Sequence, residues 1–355
     1  MTSRSHFKLL LLAAATGLFA AQASAQQITV TSWGGAYTKS QVTAMHEPFS
    51  KATGVKILSE DYNGGLAEIR AQVKTGNVKW DVVDVELAEA IRGCDEGLFE
   101  KIDASKLPKG ADGVDAKSDF VPGMVTECAV ANISFANVIA YDKARLGASA
   151  PTRLEDYFDL QKFPGKRGMK KEPNVNLEWA LMADGVAPAD VYKVLSTREG
   201  VDRAFRKLDT IKSQIVWWSA GAQPPQLLAS GEVVMTSVYH GRIYDANVKD
   251  GKNFAIVWDG QISVPDLFVV MKGSKNVKTA MDFVMFATGT KPLAEQTKYI
   301  PYAPARKSSL ALVDAKTKPW LPGPSQAGRG FTTDAGWWAD KADELNQRFA
   351  AWAAR

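Results

Sequence analysis

The chain has 355 residues, with 43 Lys and Arg against 39 Asp and Glu, for a formal net charge of +4. So slight an excess argues against nucleic acid or an anionic membrane as partner, because such surfaces are met by clustered basic residues, and no basic run or heptad stretch occurs. The length suffices for two domains.

At the N-terminus, Arg4 and Lys8 flank the start of an apolar run from Leu9 to Ala21, and Ala23-Ser24-Ala25 is a small-x-small site before Gln26. This pattern reads as an export signal cleaved after Ala25. The run is too short and too Ala-rich for a good membrane span. No Cys follows the site to carry a lipid anchor, so the expected location is the periplasm. Loss of Arg4 and Lys8 leaves 41 basic against 39 acidic residues. The remaining cysteines are Cys94 and Cys128, which in an oxidising compartment are expected to pair. A loop of about 35 residues closed in this way is worth roughly 3–4 kcal/mol by chain entropy. Two buried free thiols are the alternative. No metal site and no cofactor are expected: the mature histidines, His46 and His240, are far apart and show no zinc-type spacing.

Along the chain, strands and helices alternate. Gln27 to Thr31 is a β-rich run ending at Ser32-Trp33-Gly34-Gly35, followed by Val42, Met45 and Phe49 at helical spacing. Val55 to Leu58 reads as the second strand, Ala67 to Val73 as a helix, Asp81 to Val85 as the third strand and Leu87 to Arg92 as a helix. That order implies a parallel sheet with helices on both faces. Further on, helices are expected over 177–184, 188–196 and 199–210. Strands are expected at Ile215–Trp217, Val233–Thr236, Phe254–Val257 and Leu267–Met271. Ala280–Ala287, Pro292–Lys298 and 334–352 read as helices. There is no repeat or long linker. Two α/β lobes joined by segments that cross back and forth, Ile133–Ala140 and Gln261–Phe268, fit this better than two separate beads. The expected division is 26–135 plus 266–300 for one lobe and 136–265 plus 301–355 for the other. Such a double crossing leaves a hinge.

The stretch Ile28-Thr29-Val30-Thr31-Ser32-Trp33-Gly34-Gly35-Ala36-Tyr37 resembles the first strand and turn of polyamine-type periplasmic binding proteins. So do Trp80-Asp81-Val82-Val83 and Gly97-Leu98-Phe99-Glu100-Lys101-Ile102-Asp103. Further matches are Trp217-Trp218-Ser219-Ala220-Gly221-Ala222-Gln223, Leu228-Ala229-Ser230-Gly231-Glu232-Val233 and Tyr239-His240-Gly241-Arg242. The matches run in register over nearly the whole mature chain. The resemblance implies a two-lobed α/β fold with a ligand clamped between mainly parallel sheets. It also implies a permease of an ABC importer as partner, and the receptor is expected to be a monomer.

Ligands of open parallel sheets sit beyond the carboxyl ends of the strands. That rule selects Trp33 and Tyr37, Asp84 to Glu86, and Tyr239 to Arg242, while Asp266 lies in a crossing segment. In the resembling family, aromatics corresponding to Trp33, Tyr37 and Tyr239 frame the aliphatic part of the ligand. An acid corresponding to Asp266 takes an ammonium, and Glu86 falls near a polar contact. An alkyl-ammonium ligand needs such apolar walls, π-faces and a carboxylate. Trp217, Trp258, Trp337 and Trp338 read as core.

Two departures from the polyamine pattern stand out. Val264 replaces a second aromatic near the acid. Arg242, three residues after Tyr239, would repel a second amine and is shaped to clamp a carboxylate. An ω-amino acid such as γ-aminobutyrate suits that pair of charges, with polyamine or betaine-type ligands as alternatives. The alternative role for Arg242 is a salt bridge to Asp245 or Asp259. An enzyme is the rival class. There is no Gly-x-Ser-x-Gly elbow and no HExxH, which leaves carboxylate-only hydrolysis. A ferric-ion binder of similar fold is disfavoured by the lack of a Tyr-Tyr pair.

Overall fold

The computed structural model describes residues 26–323 and 328–355. The expected export signal, residues 1–25, lies outside the described residues.

The strands form one sheet in the order β2-β1-β3-β8-β4-β7-β5-β6. At one end, β1 (Gln27–Ser32) runs parallel to β2 (Lys56–Asp61) and β3 (Val82–Glu86). At the other, β5 (Arg167–Lys170) runs parallel to β6 (Ile215–Trp218) and β7 (Met235–Tyr239). Between them lie two long antiparallel strands, β4 (Ala129–Asp142) and β8 (Phe254–Val270). β8 pairs with β3 at one end and β4 with β7 at the other, and because the two are paired to each other along their length, each passes through both halves. The result is a two-lobed α/β architecture.

Each half has its own core. The first gathers Ile28, Val30, Val82, Val83, Phe268 and Phe283. The second gathers Leu154, Trp179, Leu208, Met235 and Phe349. The last helix, Ala335–Ala353, buries Trp338, Leu345, Phe349 and Trp352 in the second core. From there Asp343 meets Arg92 of the helix Leu87–Asp95, whose residues pack in the first half. Cys94 of that helix is disulfide-bonded to Cys128, just before β4.

Two strand expectations shift. The run expected at Val233–Thr236 becomes β7 from Met235, because the preceding helix Gln223–Ser230 closes on Gly231 at φ 74°. The amides of Glu232 and Val233 then satisfy the Leu227 carbonyl, so Val233 still belongs to a helix C-terminal turn. Tyr239 is therefore the last residue of the strand. The runs at Phe254–Val257 and Leu267–Met271 prove to be the two ends of the single strand β8, which stops at Val270 and leaves Met271 as an isolated bridge to Phe99. The polar stretch between them breaks the apolar pattern, but it stays paired to β4 through an irregularity near Gly260, which has φ 77°.

The Val42–Met45–Phe49 helix is real but not uniform. It runs from Gly35 through a π turn at Val42–His46 into Glu47–Thr53. That turn drives His46 inward, where its ring meets Phe283 edge-on and neither ring nitrogen has a hydrogen-bond partner. Burial lowers the pKa of His46 to about 4. The unfolded chain, with an ordinary value near 6.5, binds more protons between these limits, so stability is present above pH 6.5 and is lost as pH falls toward 4. His46→Leu should remove this dependence. Its unfolding free energy relative to the parent should improve by about 2 kcal/mol between pH 7.5 and pH 5. Urea titrations at the two pH values that gave the same difference would contradict this reading of His46.

Candidate ligand-binding site

The carboxyl ends of β1, β3 and β7 and the C-terminal part of β8 converge on a narrow cleft between the two halves. Its walls are Trp33, Tyr37, Glu86, Phe135, Tyr239, Arg242, Asp266 and Tyr302. A larger hollow lined by Pro48, Met285, Phe286 and Pro292 lies elsewhere. It has no buried polar atoms left unpaired, and it is not beyond the strand ends.

One end of the cavity is cationic. Arg242 is the third residue of the helix His240–Lys249, directly after β7. The N-terminus of that helix adds partial positive charge to the same end. His240 pins the helix start: its Nδ1 accepts from the Ala136 amide at 3.1 Å and its Nε2 donates to the Pro301 carbonyl at 2.8 Å. Both ring nitrogens are thus committed to backbone, and burial lowers the pKa of His240 to about 4. The Arg242 guanidinium is buried and donates from Nη2 to the Trp33 carbonyl at 3.3 Å, while Nε and Nη1 make no hydrogen bond. The carboxylates that could have paired with it are engaged elsewhere, Asp259 with Arg329 at 2.7 Å and Asp245 with Lys249. Glycine makes room for this side chain. A Cβ on Gly35, which has φ 57°, would lie 2.9 Å from Nη1.

The opposite end is lined by carboxyl groups. Glu86 and Asp266 are register partners on the antiparallel strands β3 and β8. Opposed positions of this kind place side chains next to each other, and like charges there repel. Burial raises the pKa of Asp266, and the charges of Asp84, Glu86 and Glu89 raise it further. Glu86 is pushed up to about 8 by burial, against the pull of Lys170 and with the added push of Glu172 and Glu89. Asp266 Oδ1 has no hydrogen-bond partner, nor does the indole nitrogen of Trp33.

Aromatic rings form the walls between these ends. Phe135 and Tyr239 meet at 4.9 Å between centroids, and Tyr37 and Tyr302 at 5.4 Å. Of the residues selected from the sequence, Trp33, Tyr37, Glu86, Tyr239, Arg242 and Asp266 line the cavity together. Asp84 does not. Its carboxylate receives Ser32, Gln41 and Asn132 side chains beneath the aromatic wall, and its pKa rises to about 7 through burial, which outweighs those hydrogen bonds. Val264 packs with Tyr37, Phe135 and Tyr302. Phe135 and Tyr302 were missed by the sequence reading. Phe135 lies within the crossing segment Ile133–Ala140, where an aromatic at the midpoint is a usable signal. Tyr302 adjoins a strand of only two residues, Ala303–Pro304, and gives no signal at all.

Two lobes bridged by two long strands and holding a charged, aromatic-walled cleft between them define a solute-binding receptor. The chain belongs to the bacterial extracellular solute-binding protein family, whose model matches residues 44–323. It is 45% identical over 337 residues to the gamma-aminobutyric acid-binding protein of Pseudomonas aeruginosa, covering 95% of this chain and 93% of that one. It is 24% identical over 298 residues to a putrescine-binding periplasmic protein of Escherichia coli, covering 76% of each. Among solved structures, a GABA receptor superposes with TM-score 0.80 at 36% identity, covering 93% of this chain and 98% of that one. Among the described residues, no helix is long and apolar enough to cross a membrane.

A carboxyl whose pKa rises on folding binds more protons in the native state than in the unfolded one. Stability therefore falls as pH climbs from about 4 through the native pKa. Asp266→Asn abolishes that loss. Without added solute, the variant should be more stable than the parent at pH 8, by on the order of 1 kcal/mol, with little gain at pH 4. Chemical unfolding that showed an equal gain at both pH values, or a loss at pH 8, would contradict the raised pKa.

Proposed function

We propose that this chain is the substrate-binding receptor of an ABC importer, acting in the periplasm after cleavage behind Ala25, and that it captures an ω-amino acid, with γ-aminobutyrate the first choice. In this reading Asp266, aided by Glu86, takes the ammonium. Arg242 takes the carboxylate, and Trp33, Tyr37 and Tyr239 flank the methylenes. The lobes divide near residues 135/136, 265/266 and 300/301 and close on the ligand, and a permease receives it. The protein works as a binder and not as a catalyst.

One observation carries the ligand class. A buried guanidinium with two unpaired nitrogens shares one small cavity with a buried carboxylate whose Oδ1 is also unpaired. An unpaired buried charge costs several kcal/mol, and a zwitterion of the right length satisfies both ends at once. A polyamine would satisfy Asp266 and place a second cation against Arg242. The similarity to a protein named for γ-aminobutyrate binding supports the same choice.

A calorimetric screen of γ-aminobutyrate, putrescine, spermidine and glycine betaine tests it. γ-Aminobutyrate should bind, and Arg242→Ala should weaken it by roughly 2–4 kcal/mol. Because Asp266 and Glu86 have raised pKa values, an incoming ammonium ionises them and protons leave. Affinity should then tighten as pH rises toward 8, and the apparent enthalpy should change with the ionisation enthalpy of the buffer. Tight binding of putrescine or spermidine with no amino acid binding would transfer the assignment to polyamines.

A further inference from the structure

We propose that Lys170 sets the charge specificity of this site by placing the protein's own ammonium in the aromatic seat that a second ligand cation would need. The inference rests on the amine-binding reading above, and it goes further by naming the residue that makes the site refuse diamines.

Lys170 is the last residue of β5. Its Nζ lies 5.5 Å from the centroid of Tyr239 and 5.8 Å from that of Trp33, so it reaches from one half of the molecule to rings contributed by both. Both rings are walls of the cavity. Cations within about 6 Å of such a ring centroid are attracted to it, and the attraction grows as water is excluded. The Lys170 side chain is only 12% exposed. It therefore holds the position in which a second alkyl-ammonium group would otherwise find its π-faces.

The lysine is held there by a built segment. Its amide donates to Ser237 Oγ at 3.3 Å, and its carbonyl accepts from Asn176 Nδ2 at 2.9 Å. Asn176 also donates to the Glu172 carbonyl at 2.7 Å. Val175 has φ 69°, an outlier for a β-branched residue that persists only where the surroundings over-determine the backbone. From this strap Asn174 donates to Glu86 Oε2 at 3.2 Å, across to β3.

The charge on Lys170 is secure. Burial lowers its pKa, but Glu172, Tyr239 and Glu86 more than offset this and raise it. The facing charged and titratable groups are thus Glu86 on β3, Glu172 on the strap and Tyr239 on β7. Asp266 and Glu89 lie within electrostatic reach of the same lysine. Lys170 is already paired with Glu172 at 2.7 Å, so it does not compete with Arg242 for a ligand carboxylate. What it does is place a fixed cation, paired with Glu172, within electrostatic reach of Glu86 and Asp266. Without it, the faces of Trp33 and Tyr239, which line the cleft together with Asp266 and Arg242, would be open to a second ammonium.

Lys170→Met keeps the length of the stem and removes the charge, and Lys170→Arg keeps the charge. Calorimetry with putrescine and γ-aminobutyrate on the parent and both variants decides the matter. Putrescine should bind Lys170→Met at least about tenfold more tightly than the parent. γ-Aminobutyrate should change by less, and Lys170→Arg should behave like the parent. Lys170→Gln repeats the test should Lys170→Met not fold. Equal putrescine affinity in parent and variant, tight putrescine binding by the parent, or a parallel loss for both ligands would overturn the proposal. If the parent binds no amino acid, the ω-amino-acid reading fails, while the putrescine ratio still judges Lys170.

Discussion

Everything in this molecule depends on the pairing of β4 with β8. The two strands run antiparallel from Ala129 against Val269 to Asp142 against Phe254. A strand of ordinary length serves one core, whereas these two are long enough to serve two. Because both cross, the halves are joined at two adjacent places and cannot drift apart as beads on a string would. The cavity sits where the crossing strands pass from one core to the other. Asp266 and Phe135 occupy those middle positions, which belong to neither core cluster.

The crossing also sorts the charges. β3 and β8 carry Glu86 and Asp266 opposite one another, and the helix after β3 adds Glu89, whose carboxylate accepts the Gly65 amide at 2.6 Å. β7 and its helix bring Arg242 from the other side. The receptor therefore holds repulsive carboxylates at one end and an unsatisfied guanidinium at the other. Each costs stability in the protein alone. Such electrostatic misfit is of the kind by which functional sites commonly break local rules that the rest of the fold obeys. Aromatic rings line the apolar gap between the two ends.

Much of this was legible in the sequence. The alternation from Gln27 to Arg92 set the class of fold, and the strand-end rule reached Trp33, Tyr37, Glu86, Tyr239 and Arg242 directly. Position 84 was selected by the same rule and shares Glu86's face of β3, but it sits two residues short of the strand end, where Ser32, Gln41 and Asn132 take up its carboxylate. The continuity of β8 was hidden because Gly260, Gln261 and Ser263 interrupt its apolar pattern while its hydrogen bonds continue. Tyr302 and Lys170 were hidden for a different reason. Their roles come from tertiary approach, Tyr302 packing under the helix start at Gly241 and Lys170 reaching across to Trp33, and no local spacing encodes either contact.

The central claim is that one solute bridges Arg242 and Asp266, and a crystal structure of the protein with γ-aminobutyrate tests it most directly. The account predicts the carboxylate within hydrogen-bonding distance of Arg242 Nε and Nη1. It places the ammonium against Asp266 and the methylenes between Trp33, Tyr37 and Tyr239. A ligand with its carboxylate on Lys170, or one bound outside this cavity, would contradict it.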